Sequence, residues 1–90
     1  MPILKVPGLM RYYVENQAEV RLGGDTVGAL LVELMEQYPT IRPHLVDAKG
    51  NLRRHINLFV NQVNIRDLNG MDTPLGENDQ VVLLPSISGG

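Results

Sequence analysis

Between Gly23 and Pro39 the apolar residues Val27, Leu30, Leu31, Leu34, Met35 and Tyr38 recur in alternating steps of three and one, the spacing of one stripe along an α-helix. Gly23-Gly24 interrupts the run before it, and Asp25 and Thr26 are candidate N-caps. Pro39 ends it, because the residue before a proline is pushed out of the α region. The spacing therefore predicts a helix over about 26–38. A lone helix with a one-sided stripe cannot bury itself, so the flanking segments must supply the surface that covers it.

Both flanks carry a period of two. Leu4 and Val6 alternate with Ile3 and Lys5 before Pro7-Gly8, and Ala18, Val20 and Leu22 alternate with Glu19 and Arg21. These predict two half-buried strands forming a hairpin with a long loop. Residues 40–52 show no sustained period and read as a loop with one helical turn near Pro43 to Val46. Ile56, Leu58 and Val60 then alternate with Asn57, Phe59 and Asn61, and after Asn61-Gln62 the short run Val63 to Ile65 turns back as a hairpin. Asn69-Gly70, Gly76 and Asn78-Asp79 punctuate the stretch before a last strand, Gln80 to Leu84. The order ββαβ(β)β predicts an α+β fold, a mixed sheet with one main helix packed on one face and Met35 and Tyr38 in its core.

Ninety residues suffice for one domain and one modest core, too little for a deep enclosed pocket. Catalysis on this chain would therefore belong to a partner. A formal charge of -2 argues against nucleic acid, whose phosphates call for a clustered positive field. The absence of cysteine removes disulfides, thiolate metal sites and a thiol nucleophile. His44 and His55 stand eleven residues apart without a carboxylate at ligand spacing, so no metal is expected. No leader-like start and no membrane-length apolar run occurs, which reads as a cytoplasmic protein with no membrane partner.

The chemistry points to Gly89-Gly90. A terminal glycine carboxylate is the least hindered acyl group a polypeptide offers, and the side-chain-free pair can thread a narrow slot. Chain ends commonly fray. This one follows the apolar run Val81-Val82-Leu83-Leu84 and then Pro85, whose nitrogen cannot join a ladder. The expected organisation is a domain over 1–85 and a flexible tail over 86–90, in which Ile87 and Ser88 lead to Gly89 and Gly90 and Ser86 and Ser88 act as polar spacers. From Ser86 the tail reaches at most about 17 Å. Strand parity puts Leu58, Val60, Val81 and Leu83 towards the helix and leaves Phe59, Val82 and Leu84 on the open face, a candidate docking patch close to the tail. Phe59 is the chain's only phenylalanine, and aromatic anchors dominate many interfaces.

The helix start Gly24-Asp25-Thr26-Val27, the turn Leu75-Gly76-Glu77-Asn78-Asp79 into the last strand, and the end Pro85-Ser86-Ile87-Ser88-Gly89-Gly90, in this order, resemble the sulfur carriers of the MoaD/ThiS family over nearly the whole chain. The segment from Arg54 through Ile56-Asn57-Leu58-Phe59-Val60-Asn61, with Ile65-Arg66 after it, looks more like carriers serving cysteine biosynthesis in actinobacteria than like the molybdopterin-synthase subunit. The resemblance implies a ubiquitin-like β-grasp fold and a carrier rather than an enzyme. It further implies that a ubiquitin-activating-like enzyme adenylates Gly90 with ATP and that a sulfur donor leaves a thiocarboxylate there, which a downstream synthase consumes. ATP and the sulfur donor would be used by the partner, and no cofactor bound by the chain itself. A ubiquitin-like modifier joined to lysines and a non-catalytic interaction domain are the alternative readings, since fold alone does not settle function. Thiamine, molybdopterin and other sulfur-containing metabolites are further possible destinations of the sulfur.

Overall fold

The computed structural model describes residues 1–86; the tail residues Ile87, Ser88, Gly89 and Gly90 lie outside the described part. Five strands form one sheet: β1 (Ile3–Lys5), β2 (Glu19–Arg21), β3 (Ile56–Val60), β4 (Val63–Asn64) and β5 (Gln80–Pro85), in the spatial order β2-β1-β5-β3-β4. β1 runs parallel to β5, and the other neighbours are antiparallel. The strand that leads to the tail is thus the middle of the sheet.

The main helix, α1 (Val27–Gln37), lies within a residue of each predicted end. Thr26 caps it, its hydroxyl accepting from the Ala29 N–H at 3.1 Å. The first helical N–H, that of Val27, donates to the Thr73 carbonyl at 3.0 Å, so an otherwise orphaned donor is satisfied by the segment that leads into β5. Gly24 makes the approach possible. Its φ is +136° and a Cβ there would stand 2.7 Å from the Leu30 nitrogen, so only glycine fits. Val27, Leu30, Leu31 and Leu34 are fully buried against Leu4, Leu58, Val81 and Leu83 of the sheet. Met35 and Tyr38, expected in the core, sit partly exposed at its margin. They belong to the stripe and pack against the core, with Tyr38 at the C-cap of α1.

Two regions bury residues that their patterns did not single out, although the long-loop hairpin and the helical turn near Pro43 both form as expected. The connection between β1 and β2 is a 3-10 segment over Gly8–Val14 that buries Met10 and Val14, and Ala18, expected on the inner face of a longer β2, is exposed. β2 keeps only the part that β1 is long enough to pair. The 40–52 stretch carries a 3-10 turn, Pro39–Ile41, and one turn of helix, α2 (Arg42–Leu45), which together bury Ile41 and Leu45. The hairpin β3–β4 turns as predicted on Asn61-Gln62, both at positive φ (48° and 78°), the left-handed pair that a two-residue turn needs to match strand twist.

Candidate functional site

Alternation along β3 and β5 decides which residues face α1 and which face away from it. Ile56, Leu58, Val60, Val81 and Leu83 are buried beneath α1, while Asn57, Phe59, Val82 and Leu84 lie on the opposite face. Phe59 and Val82 are cross-strand partners and both are half-buried; Leu84, paired to Asn57, is 45% exposed. The three residues proposed as a patch are therefore on one face and follow β5 towards the tail. Across the same row Val82 neighbours Lys5 and Phe59 neighbours Asn64, so a polar rim encloses the apolar pair. Lys5 Nζ lies 3.7 Å from Glu19 Oε2, an exposed ion pair that shapes the rim more than it stabilises the fold.

Pro85 occurs where its missing N–H costs nothing. The register Ile56↔Pro85 follows the hydrogen-bonding pairs that alternate along β3 and β5, leaving the proline nitrogen pointed away from β3, on a side that β1 no longer covers. The next N–H, that of Ser86, donates to the His55 carbonyl at 2.6 Å. Ser86, read from the sequence as a free spacer, is thus still tied to the sheet. Its Oγ also accepts from Asn57 Nδ2 at 3.1 Å. Asn57 Oδ1 in turn accepts from Arg66 Nη1 at 2.6 Å, and Arg66 Nη2 donates to the Ile56 carbonyl at 3.1 Å. Asn57 and Arg66 were not singled out as site residues, although the parity that exposes Phe59 also places Asn57 on that face.

His44 and His55, far apart in sequence, come to one shallow groove with Tyr13, Ile56 and Pro85. His44 stacks on the Tyr13 ring at a centroid distance of 4.3 Å. Among the described residues no three His, Asp or Glu side chains are grouped to hold a metal, and no helix is long and apolar enough to cross a membrane.

At the far end of β5, Asp79 closes the turn before the strand. Its carboxylate accepts from the Gly76 N–H at 2.7 Å and from Asn61 Nδ2 at 2.8 Å, which hold its pKa below the usual aspartate value against a small opposing effect of burial. Asn61 Oδ1 accepts from the Gln80 N–H at 3.1 Å, so the β3–β4 turn and the start of β5 are locked together.

Comparison with known proteins bears on the tail as well as the fold. The ThiS family model matches residues 4–90. The sulfur carrier protein CysO of Mycobacterium tuberculosis is 33% identical over 89 residues, covering 97% of this chain and 96% of that protein. Its crystal structure matches with a TM-score of 0.88 at 30% identity, over 97% of this chain and all of that one. A chain of the Amycolatopsis orientalis BexX/CysO complex matches over the full length of both with a TM-score of 0.91 at 24% identity, a likeness of fold. The small archaeal modifier protein 1 of Methanosarcina acetivorans matches with a TM-score of 0.85 at 30% identity, covering 99% of this chain and 95% of that one.

Proposed function

This chain belongs to the ThiS family and has its ubiquitin-like β-grasp fold, and from that premise we propose that it is a sulfur carrier whose Gly90 carboxylate is adenylated and then converted to a thiocarboxylate. The observation that carries the reading is the family match continuing through Gly90, together with 33% identity to a protein described as a sulfur carrier over 89 residues. The chain is a co-substrate of other enzymes and not itself an enzyme.

The chemistry follows from the end group. A carboxylate resists nucleophilic attack because its charge is delocalised and its oxygen is a poor leaving group. Attack of the carboxylate on the α-phosphorus of ATP expels pyrophosphate and gives an acyl adenylate. A sulfur nucleophile then adds to the acyl carbon and AMP departs, leaving the carbon bonded to sulfur. The thiocarboxylate is a stronger acid than a thiol, so at neutral pH it is ionised and nucleophilic without a base supplied by this chain. Gly89 and Gly90 let the tail enter a partner's slot, with Ile87 and Ser88 spanning the distance, while Phe59, Val82 and Leu84 form the docking face. The partners are an ATP-dependent adenylating enzyme and a downstream synthase that takes the sulfur. The identity to CysO favours cysteine or a related amino acid as its destination.

Intact-mass measurement after incubation with ATP, a sulfide source and the cognate activating enzyme tests this reading. Replacement of one oxygen by sulfur at Gly90 is expected; an unaltered mass despite demonstrated adenylation would refute it. The likeness to an archaeal modifier protein supports a second reading, conjugation of Gly90 to lysines. Isopeptide-linked adducts in cells that persist when sulfur transfer is blocked would favour it.

A further inference from the structure

We infer that Asn57, held by Arg66, is a positioning residue that sets the direction in which the C-terminal tail leaves the sheet; its effect on the reaction rests on the function proposed above. The three groups form a one-way relay. A guanidinium can only donate, so Asn57 must turn its oxygen to Arg66 Nη1 at 2.6 Å. That choice leaves the amide nitrogen facing Ser86 Oγ at 3.1 Å. Arg66 is itself fixed by the Ile56 carbonyl at 3.1 Å, a second anchor for its planar fork. Ser86 is a diagonal neighbour of Asn57 across the Asn57↔Leu84 pair, within reach of a short amide.

Two bonds therefore act on one residue from different directions. The Ser86 N–H to His55 carbonyl bond, at 2.6 Å, fixes its backbone in the plane of the sheet, and the Asn57 bond fixes its side chain on the open face. One bond alone leaves a swivel; both together define a heading. Beyond this point only four residues, spanning at most about 14 Å, separate Ser86 from the Gly90 carboxylate, so Ser86 is the last place where the body can act on the tail. Asn57 shares its face with Phe59, Val82 and Leu84, so the relay couples the heading of the tail to the surface on which the partner would sit.

The bonds lie at the surface and contribute little to stability, which makes them separable from folding. The test uses the full chain with Asn57→Leu, Asn57→Asp and Ser86→Ala. An aspartate retains the bond from Arg66 and accepts the Ser86 hydroxyl proton, so it restores the relay; a leucine does neither. In 13Cα relaxation, which reads the Cα–Hα vector that swings when only the N–H bond to His55 is left, position 86 of Asn57→Leu should become more mobile than in the unsubstituted chain with Leu83 unchanged, and Asn57→Asp should recover it. In ATP–pyrophosphate exchange with the activating enzyme, Asn57→Leu should raise KM for the carrier about fivefold, the worth of one ordinary hydrogen bond, with kcat unchanged. Full order at position 86 in Asn57→Leu, or an unchanged KM once that position has loosened, would overturn the inference. Should Asn57→Leu not fold, Ser86→Ala removes the acceptor from an exposed site, and the same two outcomes decide. An unaltered chain that no activating enzyme adenylates would instead refute the proposed function, and relaxation alone would then decide the relay.

Discussion

At the residue scale, most of what matters near the tail depends on single side chains whose neighbours come from distant parts of the sequence. Phe59 is the clearest case, half-buried beside Val82 on the face away from α1. Phe59→Ala should weaken activation about tenfold or more, as loss of an aromatic anchor does, while lowering the melting temperature by only a few degrees. Activation kinetics alongside a thermal melt separates the two, and a collapse of the melt with unchanged activation would place Phe59 in the fold and not in the docking face. Asp79 responds to pH. Its folded pKa lies below its unfolded value because Gly76 and Asn61 donate to the ionised form, so the folded state binds fewer protons. The stability it contributes is complete above the ordinary aspartate range and is lost as pH falls through the lower folded value. Asp79→Asn should therefore lower stability in the neutral region, converge with the unsubstituted chain as pH falls below about 4, and so flatten the acid limb of the profile, as measured by urea unfolding at a series of pH values. The strand parity of Phe59 was legible from the alternation alone. The bonds to Asp79 and the Arg66–Asn57–Ser86 relay were not, because each joins residues that only the closed sheet brings together.

At the scale of elements, legibility followed periodicity. α1 was readable to within a residue because six apolar positions, a cap and a proline all agreed. The β3–β4 hairpin was readable because Asn61 suits the left-handed conformation that its turn requires. The Gly8–Val14 segment was not, since its buried residues, Met10 and Val14, are interleaved with exposed Leu9 and Tyr12 and show no sustained period. The burial of Ile41 and Leu45 escaped for the same reason. The cap at the start of α1 gives a test at this scale. Thr26→Ala removes the acceptor for the Ala29 N–H and should cost about 1 kcal/mol in urea unfolding with an unchanged m-value. Leu34→Ala, which empties a fully buried position under the sheet, should cost about 2–5 kcal/mol.

At the scale of the molecule, the proposed function assigns chemistry to the tail and stability to the body. A chain lacking Gly89 and Gly90 should melt within about 2 °C of the full one, and it should accept no sulfur in the intact-mass experiment. Unimpaired loading would mean that the acyl end lies elsewhere. The spatial order β2-β1-β5-β3-β4 carries a further consequence. Before residues 80–85 arrive, the N-terminal hairpin and the β3–β4 hairpin share no ladder, and each exposes a raw edge towards the other. β5 is the keystone that fills this gap, and its insertion demands contacts of long sequence range, the slow kind in folding. The same insertion brings Pro85 and Ser86 against β3. Under the function proposed above, a copy in which β5 has not inserted lacks the Phe59–Val82 row on which the activating enzyme would dock, so only assembled carriers would be charged.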